Sequence, residues 1–151
     1  MKPKLMMTVL LAGMAAFFAA CGGGSNGAAG NSTAKAPVVL RKSVPAEFKD
    51  KTNPTPDAVA DGEKVFKSQC ISCHGDKGDG DSAIGKALKP PAGDLTSAEF
   101  QNSVNDDYIF WHITVGGAAG PEGSGMTPFK DSLKEEQRWA LVAYVRSLKK
   151  K

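Results

Sequence analysis

The chain has 151 residues, room for one domain plus targeting and linker segments. Its 19 basic and 16 acidic residues give a formal net charge of +3, and 41% of its residues are hydrophobic but only 7% aromatic. So small an excess excludes a broadly basic nucleic-acid binder, and no long run of one charge suggests a strongly charged partner.

Lys2 and Lys4 give the chain a positive start, and Leu5 to Phe18 is apolar and uncharged. That stretch is short for a membrane span, and Ala19-Ala20 supplies the small residues a signal peptidase needs. Residues 1–20 are therefore expected to be a removable export signal. Without Lys2 and Lys4 the basic and acidic counts are nearly level. Phe18-Ala19-Ala20-Cys21 resembles the lipobox of bacterial lipoproteins, with Phe18 where leucine is usual. The resemblance implies a lipid on Cys21 and anchoring to a membrane in the periplasm or cell envelope. The alternative is an ordinary secretory signal with an unrelated cysteine.

Residues 21–36 follow that cysteine with glycine, alanine, serine and asparagine, the composition of a flexible tether spanning roughly 20–25 Å. Residues 37–56 hold Pro37, Pro45, Pro54 and Pro56, with Val38-Val39-Leu40 and Phe48 between them. They are expected to form an extended arm held to the domain surface by those apolar residues. The folded domain is expected over 57–151. Asp57 to Gln69 has helix formers with Val59, Val65 and Phe66 toward one side. Gly62 in its middle costs about 1 kcal/mol, which is explained if another backbone packs against it.

Gly75 to Asp81 is turn chemistry, and Pro90-Pro91 forbids helix. Thr96 or Ser97 is placed to cap a short helix through Val104. Asn105 is placed to cap another, with Asp106 and Asp107 in its first turn and Gly116-Gly117 at its end. Gly120 to Pro128 reads as a loop. Ser132-x-x-Glu135 then reads as a capping box for a last helix carrying Trp139, Leu141, Val142, Tyr144, Val145 and Leu148. Lys149-Lys150-Lys151 is expected as a frayed cationic end, favourable to the helix dipole. No alternating strand pattern competes, so the fold class is all-α with about four short helices. Such a loop-rich domain makes a poor core unless something large fills its middle.

Cys70-Ile71-Ser72-Cys73-His74 is a haem c attachment signature. Two thiols one helical turn apart suit the two vinyl groups of the macrocycle, and the next imidazole suits an axial position on the iron. Three other chemistries use such cysteines. A redox pair needs a βαβ context, absent here. Zinc needs four ligands, which Cys70, Cys73, His74 and His112 could supply, but without the usual second paired cluster. A disulfide would close a small strained loop. For the sixth iron position Met126 is the one methionine outside the signal, in the flexible run Gly123-Ser124-Gly125-Met126-Thr127-Pro128. His112, inside Tyr108-Ile109-Phe110-Trp111-His112-Ile113, is the competing ligand.

From Gly62 to Leu148 the chain resembles a monohaem class I c-type cytochrome. Gly62 and Phe66 match that family's first helix, and Leu141 with Tyr144 matches the pair by which its last helix crosses the first. The resemblance implies the class I cytochrome c fold around one covalent haem c. It also implies that a proline carbonyl, of Pro90 or preferably Pro91, accepts the second N–H of His74 and that Gly125-Met126-Thr127-Pro128 is the methionine-ligand loop. Trp111 is a candidate donor to a haem propionate, with ordinary core packing the alternative.

Iron held by His74 and Met126 leaves no position for a small-molecule substrate. The expected activity is single-electron transfer between redox protein donors and acceptors, without enzymatic turnover. Docking is expected at the haem edge near Cys70 and Cys73, where Lys77, Lys86 and Lys89 are mixed with Asp76, Asp79 and Asp81. Two alternatives are a fixed subunit of a larger respiratory or extracellular electron-transfer complex, attached through 37–56, and a haem-based gas sensor.

Overall fold

The computed structural model describes residues 44–119 and 123–150. The expected signal at 1–20, Cys21, the tether through 36 and the arm residues 37–43 lie outside the described residues. The chain divides into two units, 1–33 and 34–151, and all described residues belong to the second.

That unit runs α1 (Val59–Gln69), α2 (Ile71–His74), α3 (Ala83–Ala87), α4 (Ala98–Ser103), α5 (Asp106–Val115), a 3-10 turn (Gly117–Ala119) and α6 (Glu135–Ser147). No strand occurs among the described residues. The four expected helices are α1, α4, α5 and α6. The short α2 and α3 join them, because the Cys-x-x-Cys-His segment itself winds into a turn and Ser82 caps another by accepting the Gly85 N–H at 2.8 Å.

α1 closes on α6. A Cβ at Gly62 would lie 2.0 Å from the Ala140 carbonyl oxygen and 2.8 Å from Tyr144 Cβ, so only glycine permits this approach. Phe66 is buried, with its ring centroid 5.1 Å from that of Tyr144. Of the expected Leu141 and Tyr144, both are buried in the core, and Tyr144 together with Ala140, one turn before it, takes the contact with Gly62. Asp61–Lys64 and Glu63–Lys67 pairs decorate the exposed face of α1 and contribute little beside this packing.

α5 is the central element, with seven of its ten residues buried. Asn105 stands at its N-cap, yet its side chain makes no capping bond there. Asp107 serves instead: Oδ1 accepts the Tyr108 N–H at 2.7 Å and Oδ2 accepts the Asp50 N–H at 2.8 Å. At α4 the cap is Ser97, whose Oγ accepts the Phe100 N–H at 3.2 Å. The expected Ser132 capping box moves by two residues. The N-cap of α6 is Lys134, and Gln137 Oε1 accepts its N–H at 3.0 Å, while Ser132 lies in the preceding turn.

A polar clasp joins α6 to the α4–α5 junction. Arg146 donates to Asp106 Oδ1 at 2.7 Å, to Gln101 O at 2.9 Å and to Val104 O at 2.8 Å. Buried Gln101 donates to the Leu95 and Val145 carbonyls, both at 2.7 Å. Lys149 and Lys150 are not frayed: the Lys150 N–H donates to Thr96 O at 3.1 Å, and Lys149 Nζ donates to Asn102 Oδ1 at 2.8 Å, while Lys151 lies outside the described residues.

The described part of the arm is folded rather than extended, because Pro45 O accepts from the Phe48 and Lys49 N–H groups. Phe48 meets Phe110 at 6.1 Å between centroids, and Phe110 stacks on Trp139 at 3.9 Å and 8°. Asn53 Nδ2 donates to Trp139 O at 3.0 Å. Aromatic packing and two polar pins thus hold residues 48–53 on α5 and α6.

Candidate functional site

The Cys70 N–H donates to Phe66 O at 2.8 Å, so α1 runs almost directly into α2. The His74 N–H donates to Cys70 O at 2.9 Å, which winds the two thiols and the imidazole onto one turn. Gly75, with φ 76°, then turns the chain away. Two further bonds hold the turn. Cys73 O accepts from Ser82 Oγ at 2.8 Å, and His74 O accepts from the Gly80 N–H at 2.9 Å.

Cys70 and Cys73 are both half-buried free thiols, not joined to each other. Burial, helped by the Cys73 charge, pushes the Cys70 thiol up to about 12, so it stays protonated at neutral pH. His74 is half-buried beside the Phe66 ring, 6.4 Å between centroids. Burial lowers its pKa below the ordinary imidazole value, and a polar contact with the Gly93 backbone works against that shift. Its Nδ1 is nevertheless buried without a partner at normal hydrogen-bond geometry.

The backbone group acting on His74 in this structure is that of Gly93, two residues beyond the expected Pro91. The loop explains the shift: the Ala92 N–H is tied to Gly85 O at 2.9 Å and the Leu95 N–H to Gly78 O at 2.8 Å, which carries residues 92–95 back toward the turn.

Met126 is half-buried and packs against the core from the loop after α5. Its main chain is fixed. Met126 O accepts the Gly117 N–H at 2.9 Å, while Phe129 and Lys130 donate to Ile113 O and Thr114 O, both at 3.1 Å. Gly116, with φ 78°, makes this return path available, since a Cβ there would sit 2.7 Å from both Met126 O and Pro128 N.

His112 projects from α5 with its ring stacked on Tyr108 at 5.5 Å and 21° and edge-on to Trp111 at 6.0 Å. Its Nδ1 is also buried without a partner. Burial lowers its pKa first, and the charge of His74 lowers it further, so the two imidazoles lie within electrostatic reach. Trp111 is 3% exposed and packs edge-on to Tyr108 at 5.7 Å, inside the core cluster.

Among the described residues no three His, Cys, Asp or Glu side chains gather as a bound metal ion would require, which leaves the zinc reading without a ligand set. A polar cavity of about 600 Å³ lies elsewhere, lined by residues such as Lys51, Asp106 and Arg146. Its Asp106 is paired with Arg146, and its buried Asp107 accepts the Asp50 and Tyr108 N–H groups. The donors on α2 and its N-cap fit a haem instead: two unjoined thiols and a half-buried imidazole whose pKa burial lowers. Ser82 and Gly93, both part of this environment, were missed from sequence. Ser82 carried a legible signal as the cap of α3; Gly93 carried none.

A family model described as cytochrome c matches residues 59–149. Among solved structures the chain is similar to the KustC0563 c-type cytochrome, 34% identical over 59% of this chain and 98% of that one, with a TM-score of 0.49. It is similar to a chain of the Kuenenia stuttgartiensis reducing HAO-like protein complex Kustc0457/Kustc0458 (25% identity, 68% and 49% covered, TM-score 0.54). A third is cytochrome cL from Methylophaga aminisulfidivorans (23% identity, 83% and 72% covered, TM-score 0.47). A comparison with curated proteins gives no match. No helix among the described residues is long and apolar enough to cross a membrane.

Proposed function

Because the chain belongs to the cytochrome c family as a monohaem class I c-type cytochrome, we propose that it is a one-electron carrier working outside the cytoplasmic membrane, its haem held by Cys70 and Cys73 and its iron by His74 and Met126. A covalently bound haem c is the cofactor, and its iron supplies the capacity to take up and release one electron. The observation that carries the reading is His74: a half-buried imidazole, favoured neutral by burial, on the same turn as two unjoined thiols.

Each side chain has a separate task. The two thiols become thioethers, and Cys70 loses no charge in doing so, because it is already protonated. The Gly93 backbone acts on the His74 ring, a contact that would steady the ring and strengthen it as a donor. The bonds from Gly117, Phe129 and Lys130 hold the Met126 loop against α5, so the thioether is presented without reorganising the chain. A soft thioether opposite imidazole favours the reduced state relative to two imidazoles. Iron held by both His74 and Met126 would leave no place for a small-molecule substrate, which suits a carrier rather than an enzyme.

Its partners are redox proteins that dock briefly at the edge bearing Cys70 and Cys73. Lys86 there is paired with Asp81, so charge of one sign does not dominate the approach. Residues 1–20 act as the export signal, Cys21 carries the lipid, 21–36 is the tether, 37–56 the arm and 57–151 the cytochrome domain.

The test is the absorption spectrum of oxidised and reduced protein, wild type beside Met126→Ala. The reading requires low-spin haem c with a far-red sulfur-to-iron band in the wild type and loss of that band in the variant. Absence of the band from the wild type would sink it.

The likeness to a chain of the Kuenenia stuttgartiensis reducing complex favours a second reading, a haem-bearing subunit of a larger electron-transfer assembly. Replacing Cys21 with Ser separates the two: a carrier moves to the soluble fraction as a monomer, whereas a subunit stays with its complex.

A further inference from the structure

We propose that His112 is a second iron-binding side chain of the haem pocket, held in reserve for the sixth position and taking it whenever Met126 is displaced. This rests on the reading of His74 and Met126 as the resident ligands.

The ring is anomalous for its place. α5 buries Ile109, Phe110, Trp111 and Ile113, and beside them the half-buried His112 has an Nδ1 that is shielded from water and unpaired. A buried polar atom without a partner costs about 1–3 kcal/mol, and a histidine that merely filled the core would be bonded. No carboxylate acts on it: burial and the charge of His74 are the influences upon it. His74, 38 positions away in the chain, is thus a group whose charge reaches His112. Stacking on Tyr108 fixes the plane of the ring, so it is presented in one orientation.

The same helix carries the resident ligand's support. Gly117, five residues beyond His112, holds Met126 O, and the Phe129 N–H returns to Ile113 O, next to His112. The thioether and the imidazole therefore belong to one tied unit, and displacement of one leaves the other in place. The exchange needs no co-reactant. The thioether sulfur withdraws its lone pair from the iron, a ring nitrogen of neutral His112 donates its own, and neither proton count nor oxidation state changes.

The test uses the full-length, haem-loaded protein. Met126→Ala is expected to lose the sulfur band yet stay low-spin, with weak carbon monoxide binding. Met126→Ala/His112→Phe is expected to be high-spin, with carbon monoxide affinity raised at least about tenfold by removal of the tethered competitor. Added imidazole should return the double variant to low spin, which shows that its pocket is folded. Met126→Ala/His112→Leu provides the same comparison with a smaller side chain. If Met126→Ala alone is already high-spin and binds carbon monoxide as the double variants do, the proposal is overturned. If wild type lacks the sulfur band and His112→Phe alone becomes high-spin, His112 is the resident ligand. That outcome overturns the reserve role together with the proposed function, whereas the first overturns the reserve role only.

Discussion

Gly62→Ala isolates the helix crossing on which the fold depends. The new Cβ would stand 2.0 Å from Ala140 O, against a carbon–oxygen contact distance of about 3.3 Å, so α1 and α6 must part by more than an ångström. Alanine in a helix interior gains about 1 kcal/mol over glycine. Against that stand an overpacking cost of about 1–3 kcal/mol or more and about 1 kcal/mol from the loosened Phe66–Tyr144 ring pair. The net expectation is a loss of about 2 kcal/mol. For a domain near 100 residues that lowers Tm by about 8–16 °C, read by circular dichroism on the haem-loaded protein. Gly93→Ala is the matched control, because nothing lies within 4 Å of a Cβ built there. It should change stability by less than about 1 kcal/mol. A Gly62→Ala protein as stable as wild type would refute the close-approach reasoning.

Arg146→Met strands Asp106 and the Gln101 and Val104 carbonyls, and should cost about 3 kcal/mol by chemical denaturation, with much of the loss shared in a double-mutant cycle with Asp106→Ala. Burial works to raise the Asp94 pKa, but hydrogen bonds from Thr96 and the Lys150 charge outweigh it and leave the carboxyl below its ordinary value. A lowered folded pKa contributes stability above the unfolded value, about 3.9, that is lost as pH falls through the folded one. Asp94→Asn should therefore flatten the stability–pH curve below about pH 4. An unchanged slope would remove Asp94 from that account. Replacing both Cys70 and Cys73 with Ser should abolish haem staining on a denaturing gel, and retained covalent haem would mean that other residues hold it.

The sequence made the chemistry more legible than the architecture around it. Cys70, Cys73 and His74 are adjacent in the chain, so their spacing alone carries the chemical argument. Gly62 was interpretable because its cost in a helix demanded a compensating contact. The register of that contact was not, since Ala140 and Leu141 differ by one position and both are apolar. Caps were read with mixed success, because Asn105 and Ser132 have the right side chains but Asp107 and Gln137 have the right geometry. The Gly93 contact and the Arg146 clasp join segments distant in sequence, and no local pattern announces a partner dozens of residues away. His112 was visible as a competing ligand; its unpaired nitrogen and its nearness to His74 required the fold.

The contact between α1 and α6 also sets an order of events. Residue 62 finds its partner only when residue 140 is available, so this is a fold of long-range closure, slow to complete relative to its local helices. Until α6 arrives, the turn bearing Cys70, Cys73 and His74 has no finished core to retreat into. The attachment turn thereby stays accessible until α6 closes on α1, and among the described helices α6 is the one that ends that interval.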